Sequence, residues 1–349
     1  MNSQECKEDY KYKEIFEEFK KEYNKITNLG KFLGKGPNGE VKEVNYNGKA
    51  LAGKIIEKKG NEETQNKKML RELSNEHIIK IEKIFYKKMG KDEYELILME
   101  KAFLKDLGKL SNYCHRNNLL KLIYPNPFEE ISSDCLIRFY AKQIISGLEI
   151  LQRNNYAHLD LKLENILIFP RLILKISDFE YLKETTNNFK LYRGKNGCIT
   201  PEYFGDSLVS SEIVKKQDYF ALGKMLFELK YGISLGKFKI FGKEKMDKDR
   251  LNDVLLKNIS FLDSQIQSTK EFIKFINNLI NYNYEDRASF EEIYRNKWIN
   301  TNTNEIDRTY LAFEDKEEKL ILELQKKDFL LKKEKKFNQK KFHFKKKIK

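Results

Sequence analysis

From Val41 to Lys49 apolar and polar positions alternate and end on the dipeptide Asn47-Gly48, and a second apolar run, Ala50 to Ile56, follows directly. Successive strand side chains face opposite ways, and Asn-Gly accepts the positive φ of a tight hairpin, so the pattern predicts two strands joined by a short turn. Tyr94 to Met99 reads as a further strand, and the runs Ile166–Phe169 and Leu174–Ile176 as a pair joined at Pro170-Arg171. The spacing then changes. Ile137, Tyr140, Ile144, Ile145, Leu148 and Leu151 recur at helical intervals and predict a core helix. A shorter helix is expected near 61–73, a charged helical extension over residues 1–25, and a late helix carrying Leu320, Ile321, Leu324 and Leu331.

Composition narrows the class. With 349 residues, 40% hydrophobic and 34% charged, the chain has room for one large core or two lobes and is not a disordered sequence. Its first residues, Met1 to Lys7, are polar and charged, unlike a signal peptide, and Asn2-Ser3 offers no myristoylation pattern. No apolar run reaches membrane-spanning length. Cys6, Cys114, Cys135 and Cys198 are scattered without a C-x-x-C pair, which points to reduced thiols and a cytoplasmic or nuclear, not secreted, protein. The formal net charge is +14, but Lys332 to Lys349 hold ten lysines against one glutamate. That tail therefore carries +9, and the basicity belongs to an appendage. Phe337, Phe342, Phe344 and Ile348 interleave with the lysines; such a segment suits anionic lipid, RNA or an acidic partner, or else is a solvated tail.

Four further features carry chemistry. His158-Leu159-Asp160-Leu161-Lys162-Leu163-Glu164-Asn165 places an aspartate, a lysine and an asparagine in a short loop before an apolar strand. Those groups suit phosphoryl transfer: a carboxylate to orient and deprotonate a hydroxyl, an ammonium to meet phosphate charge, an amide oxygen to hold a metal. Leu33-Gly34-Lys35-Gly36-Pro37-Asn38-Gly39-Glu40-Val41 reads G-x-G-x-x-G-x-V, a turn able to approach phosphates closely. Taken alone it is also an ordinary glycine hairpin. It is not a dinucleotide fingerprint, because a strand follows it and not a helix. Lys54 lies between apolar residues 15 positions beyond Gly39, and Leu174-Lys175-Ile176-Ser177-Asp178-Phe179-Glu180 is a strand running into an acidic turn.

In order and distance these stretches resemble a eukaryotic protein kinase of the serine/threonine type, over roughly residues 26–300. The resemblance implies an α+β, bilobal fold, with a small β-rich lobe at 26–102, a larger mainly helical lobe at 103–300, and a helical then polybasic segment at 301–349. It implies ATP and Mg2+ as cofactors and protein substrates as partners. Asp160 and Lys162 take the catalytic positions, and Asn165 and Asp178 those of the metal ligands. Leu33, Gly34, Gly36, Gly39, Val41, Ala52, Lys54, Met99, Glu100, Ala102, Asp106 and Leu167 fall at nucleotide-binding positions; Asp106 reads equally as a surface loop residue. Asp218, in Lys216–Gly223, matches the aspartate that braces the catalytic loop. Thr200-Pro201-Glu202 and Arg287 match a structural ion pair, and Trp298 the closing tryptophan.

Four positions depart from the pattern. Leu159 stands where an arginine normally meets an activating phosphate, Glu180 replaces the glycine after Asp178-Phe179, and Lys195 sits where a threonine belongs. Asn66 occupies the place of the glutamate that partners Lys54, so either Glu63 substitutes one turn earlier or that ion pair is absent or rearranged. These departures admit a rival reading, a pseudokinase that binds nucleotide and partners without transferring phosphate.

Overall fold

The computed structural model describes residues 3–36, 39–57, 69–73, 75–116, 133–186, 189–190, 200, 208–232, 249 and 270–300. Its first part is an antiparallel sheet of strands β1 (Ile26–Gly36), β2 (Gly39–Tyr46), β3 (Lys49–Glu57), β4 (Ile81–Met89) and β5 (Asp92–Met99), in the order β1-β2-β3-β5-β4. The β2–β3 ladder runs from Gly39↔Ile56 to Tyr46↔Lys49, and its turn is the expected Asn47-Gly48, both at positive φ.

Alternation along these strands creates two apolar faces. The outer face presents Val44, Leu51, Ile55, Leu96 and Leu98, and helix α1 (Ser3–Glu22) covers it with Ile15, Phe16 and Phe19. Burying each of those side chains contributes about 1.5–3 kcal/mol, whereas the exposed ion pairs at the helix edges, Lys87–Glu22 and Lys11–Glu57, are screened by solvent and add little. Apolar packing therefore holds the helix in place. The segment is charged, but it carries an apolar stripe at positions 12, 15, 16 and 19 and is part of the small-lobe core.

The inner face, with Ile56, Ile84 and Ile97, joins a continuous core running into the second part of the molecule. That part contains α2 (Leu107–Arg116), α3 (Ser133–Arg153), α4 (Ser211–Tyr231), α5 (Lys270–Leu279), α6 (Phe290–Tyr294) and α7 (Lys297–Asn300). All six helically spaced positions from Ile137 to Leu151 are buried on α3. Helix α4 is buried nearly all round, which marks it as the central element of this lobe. Trp298 closes the core, stacked on Phe275 at 5.3 Å. The hairpin of β6 (Ile166–Ile168) and β7 (Leu174–Ile176) turns at residues 170–172, as expected. Residues 69–72 are helical and bury Leu70; the rest of the helix expected near 61–73 and the whole segment 301–349 lie outside the described residues. Among the described residues no helix is long and apolar enough to cross a membrane.

Candidate active site

The site is assembled from α4 outward. Asp218 is 1% exposed, and its two carboxylate oxygens accept hydrogen bonds from the backbone N–H groups of His158 (2.7 Å) and Leu159 (2.9 Å). Burial pushes its pKa up, opposed by His158 and by those two amides. The two bonds hold Leu159 at φ 62, a left-handed conformation that costs a leucine roughly 1–2 kcal/mol. The Leu159 side chain sits in its own apolar cluster with Ala157 and Val214, against half-buried Tyr181 and Ile213.

The next residues organise around His158. The Asp160 N–H donates to His158 Nδ1 at 3.2 Å, so the neutral ring carries its proton on Nε2 and donates it to the Ser177 carbonyl at 3.0 Å. The ring edge also meets Phe179, with centroids 5.2 Å apart. The loop at 158–165 and the acidic turn are thus joined through one imidazole.

Asp160 is 3% exposed and its two oxygens are unequal. Oδ2 accepts from Lys162 Nζ at 2.6 Å and from Asn165 Nδ2 at 3.0 Å, and the same Asn165 amide donates to the Asp160 carbonyl at 2.8 Å. Oδ1 is buried and makes no hydrogen bond among the described residues. A buried carboxylate oxygen left without a donor is costly, and a substrate hydroxyl is the kind of donor that relieves it.

The hairpin brings Asp178 to this group. Ser177 donates to the Asn165 carbonyl through both its N–H (2.8 Å) and its hydroxyl (2.9 Å), placing Asp178 beside Asn165. Asp178 stands at φ 63 and pairs with Lys54 Nζ at 2.6 Å. Burial works against its charge, but the Lys54 ammonium outweighs it and holds the carboxyl below its ordinary value. Asn165 and Asp178 make a small oxygen set, and among the described residues no group of three or more His, Cys, Asp or Glu gathers. Two such ligands fit Mg2+, which keeps waters and takes phosphate oxygens for the rest of its shell.

The remaining expected positions lie on the sheet and on the segment that follows it. Val41 lies directly across the ladder from Lys54, and Ala52 across from Met99. Leu33 and Gly34 are on β1, whose last residue, Gly36, pairs with Gly39. A Cβ on Gly39 would lie 2.3 Å from the Ile55 carbonyl oxygen, so close backbone approach demands glycine there; a Cβ on Gly34 would meet nothing within 4 Å. The Ala102 backbone makes no hydrogen bond among the described residues. Asp106 and half-buried Leu167 form an isolated bridge.

Asp106 is not a surface loop residue: it is 6% exposed, and Oδ1 accepts from the Lys109 N–H at 2.8 Å, capping α2. Glu100 is also tied down, taking Lys175 Nζ at 2.8 Å and the Lys80 N–H at 2.7 Å. Sequence reasoning missed Ser177 and these two side-chain roles; the only available signal for Asp106 was an acid directly preceding a helical pattern. Arg287 is buried and donates to the carbonyls of Asn281, Tyr282 and Lys216. Glu63, Asn66, Lys195 and Glu202 lie outside the described residues.

A family model described as protein kinase domain matches residues 27–299. Curated relatives include rhodopsin kinase GRK1 of Rattus norvegicus, 31% identical over 157 residues, covering 44% of this chain and 26% of the relative. The 3-phosphoinositide-dependent protein kinase B of Dictyostelium discoideum is 30% identical over 212 residues, covering 57% and 21%. The cGMP-dependent protein kinase egl-4 of Caenorhabditis elegans is 28% identical over 245 residues, covering 62% and 27%. The chain spans about a quarter of the length of these three relatives. With a bilobal fold, a braced loop at 158–165 and a family match over most of its length, the chain belongs to the eukaryotic protein kinase family.

Proposed function

We propose that this chain is an active kinase that transfers the γ-phosphate of ATP to serine or threonine hydroxyls of proteins. The observation that carries the reading is Asp160: one carboxylate oxygen is fixed by Lys162 and Asn165, and the other is buried without a donor. That arrangement leaves Oδ1 to accept the hydroxyl proton, with Lys162 near enough to stabilise the moving phosphoryl group. Lys54 suits the α- and β-phosphates, and the turn through Gly34, Gly36 and Gly39 suits closure over them. Ala52, Met99, Ala102 and Leu167 would enclose the base, with the Ala102 backbone as its hydrogen-bonding edge. Mg2+, held through Asn165 and Asp178, supplies charge neutralisation on the phosphates when bound. The tail 332–349 serves, in the same reading, as a contact for polyanionic surfaces.

Asp160→Asn tests the proposal, because it removes the base while leaving the nucleotide positions intact. Transfer to a protein acceptor, followed with labelled ATP, is expected to fall by ~10²-fold or more while nucleotide binding persists. Leu159 and Glu180 favour the pseudokinase alternative, and the same assay decides it. Wild type and Asp160→Asn equally inactive, with ATP and Mg2+ still bound, would establish a scaffold.

A further inference from the structure

Helix α1 lies on the sheet face opposite the nucleotide side, and part of it touches the hairpin that carries the glycines. Tyr12 and Phe16 line a small crevice with Leu29 of β1 and Glu40, Lys42 and Val44 of β2. Phe16 is fully buried there and Tyr12 half-buried. Glu40 follows Gly39 directly in the chain and is 8% exposed beneath the helix. Its Oε2 lies 3.0 Å from Lys42 Nζ, in a pair too oblique to be a hydrogen bond.

The hairpin needs outside support. Its pairing slips between Leu29 and Phe32 and again between Phe32 and Gly34, immediately before the glycine turn. Such irregularities bend and twist a strand locally, so the ladder alone does not fix the direction in which the turn leaves the sheet. Helix α1 meets the hairpin at Leu29, where the slip towards Phe32 begins, and at Glu40, Lys42 and Val44 on the facing strand.

We propose that Phe16, assisted by Tyr12, is a positioning residue for nucleotide binding: α1 sets the place of the glycine turn by bracing the outer face of β1 and β2. This rests on the phosphotransferase reading above. The helix acts through the hairpin and touches no substrate.

The test uses the full chain. Phe16→Ala is expected to raise the KM for ATP, and the Kd for a non-hydrolysable ATP analogue, about tenfold, with kcat at saturating ATP within about twofold of wild type. A merely structural role would lower the active fraction, and hence kcat, without moving KM. Tyr23→Ala is the comparator: it loosens the far end of the same helix, where the Tyr23 ring packs at a tilt against Phe85, centroids 4.3 Å apart, and its hydroxyl donates to the Tyr86 carbonyl. It is expected to move KM by less than about twofold. Should Phe16→Ala fail to fold by circular dichroism, half-buried Tyr12→Ala is read by the same criteria. Unchanged KM and Kd in a folded variant, with wild type binding nucleotide, would overturn this inference alone. A wild-type chain that binds no nucleotide would remove the functional reading and this inference with it.

Discussion

At the scale of single residues, the two ends of the glycine motif differ in what they demand. A side chain at Gly39 collides with the backbone of β3, whereas one at Gly34 enters open space. Gly39→Ala should therefore destabilise the fold by about 1–3 kcal/mol, the usual scale of overpacking, while Gly34→Ala stays within about 0.5 kcal/mol. Thermal or denaturant unfolding of the two variants checks this. Equal losses would mean that the Gly39 backbone can withdraw from Ile55. Asp178 and Leu159 present a related economy: both hold left-handed φ values without being glycine, Asp178 paired with Lys54 and Leu159 tied to Asp218. Backbone cost of this kind persists where neighbours over-determine the conformation, and here it lies inside the candidate active site.

At the scale of elements, the segment after Asp178 is secured by apolar contact. Leu159 packs with Val214 and half-buried Tyr181, and Thr185 is buried, its N–H bonded to the Asn155 carbonyl. No guanidinium stands at Leu159 to receive a phosphate. Enzyme treated with phosphatase is accordingly expected to keep most of its rate. Loss to background, restored on rephosphorylation, would refute this. The hairpins and the α3 helix were legible in the sequence because local chemistry dictates them: Asn47-Gly48 permits one kind of turn, and six apolar residues share one face of α3. The cluster of Asp160, Lys162 and Asn165 was legible for the same reason, lying within six consecutive positions. What could not be read were bonds set by tertiary placement. The Lys54–Asp178 pair spans 124 residues, and Glu100–Lys175 spans 75. Helix α1 was obscured differently, its charge masking an apolar stripe.

At the scale of the whole molecule, charge and catalysis separate. The tail from Lys332 holds most of the net charge and no residue of the candidate site. Its deletion should leave turnover on a short peptide nearly unchanged, while retention on anionic vesicles or RNA at low salt falls sharply, because such binding depends on counterion release. Loss of peptide turnover would instead make the segment part of the catalytic domain. Helix α1 has a different consequence, one that arises while the chain is being made. It leaves the ribosome before the surface that receives it, which is completed only by β4 and β5; Glu22 meets Lys87, 65 residues later. At about 5–20 residues per second the 80 residues from Phe19 to Met99 keep the apolar stripe waiting roughly 4–16 s for its partner. Throughout that interval Ile15, Phe16 and Phe19 are open to chaperones and to other nascent chains, so the yield of folded protein depends on how fast translation reaches Met99.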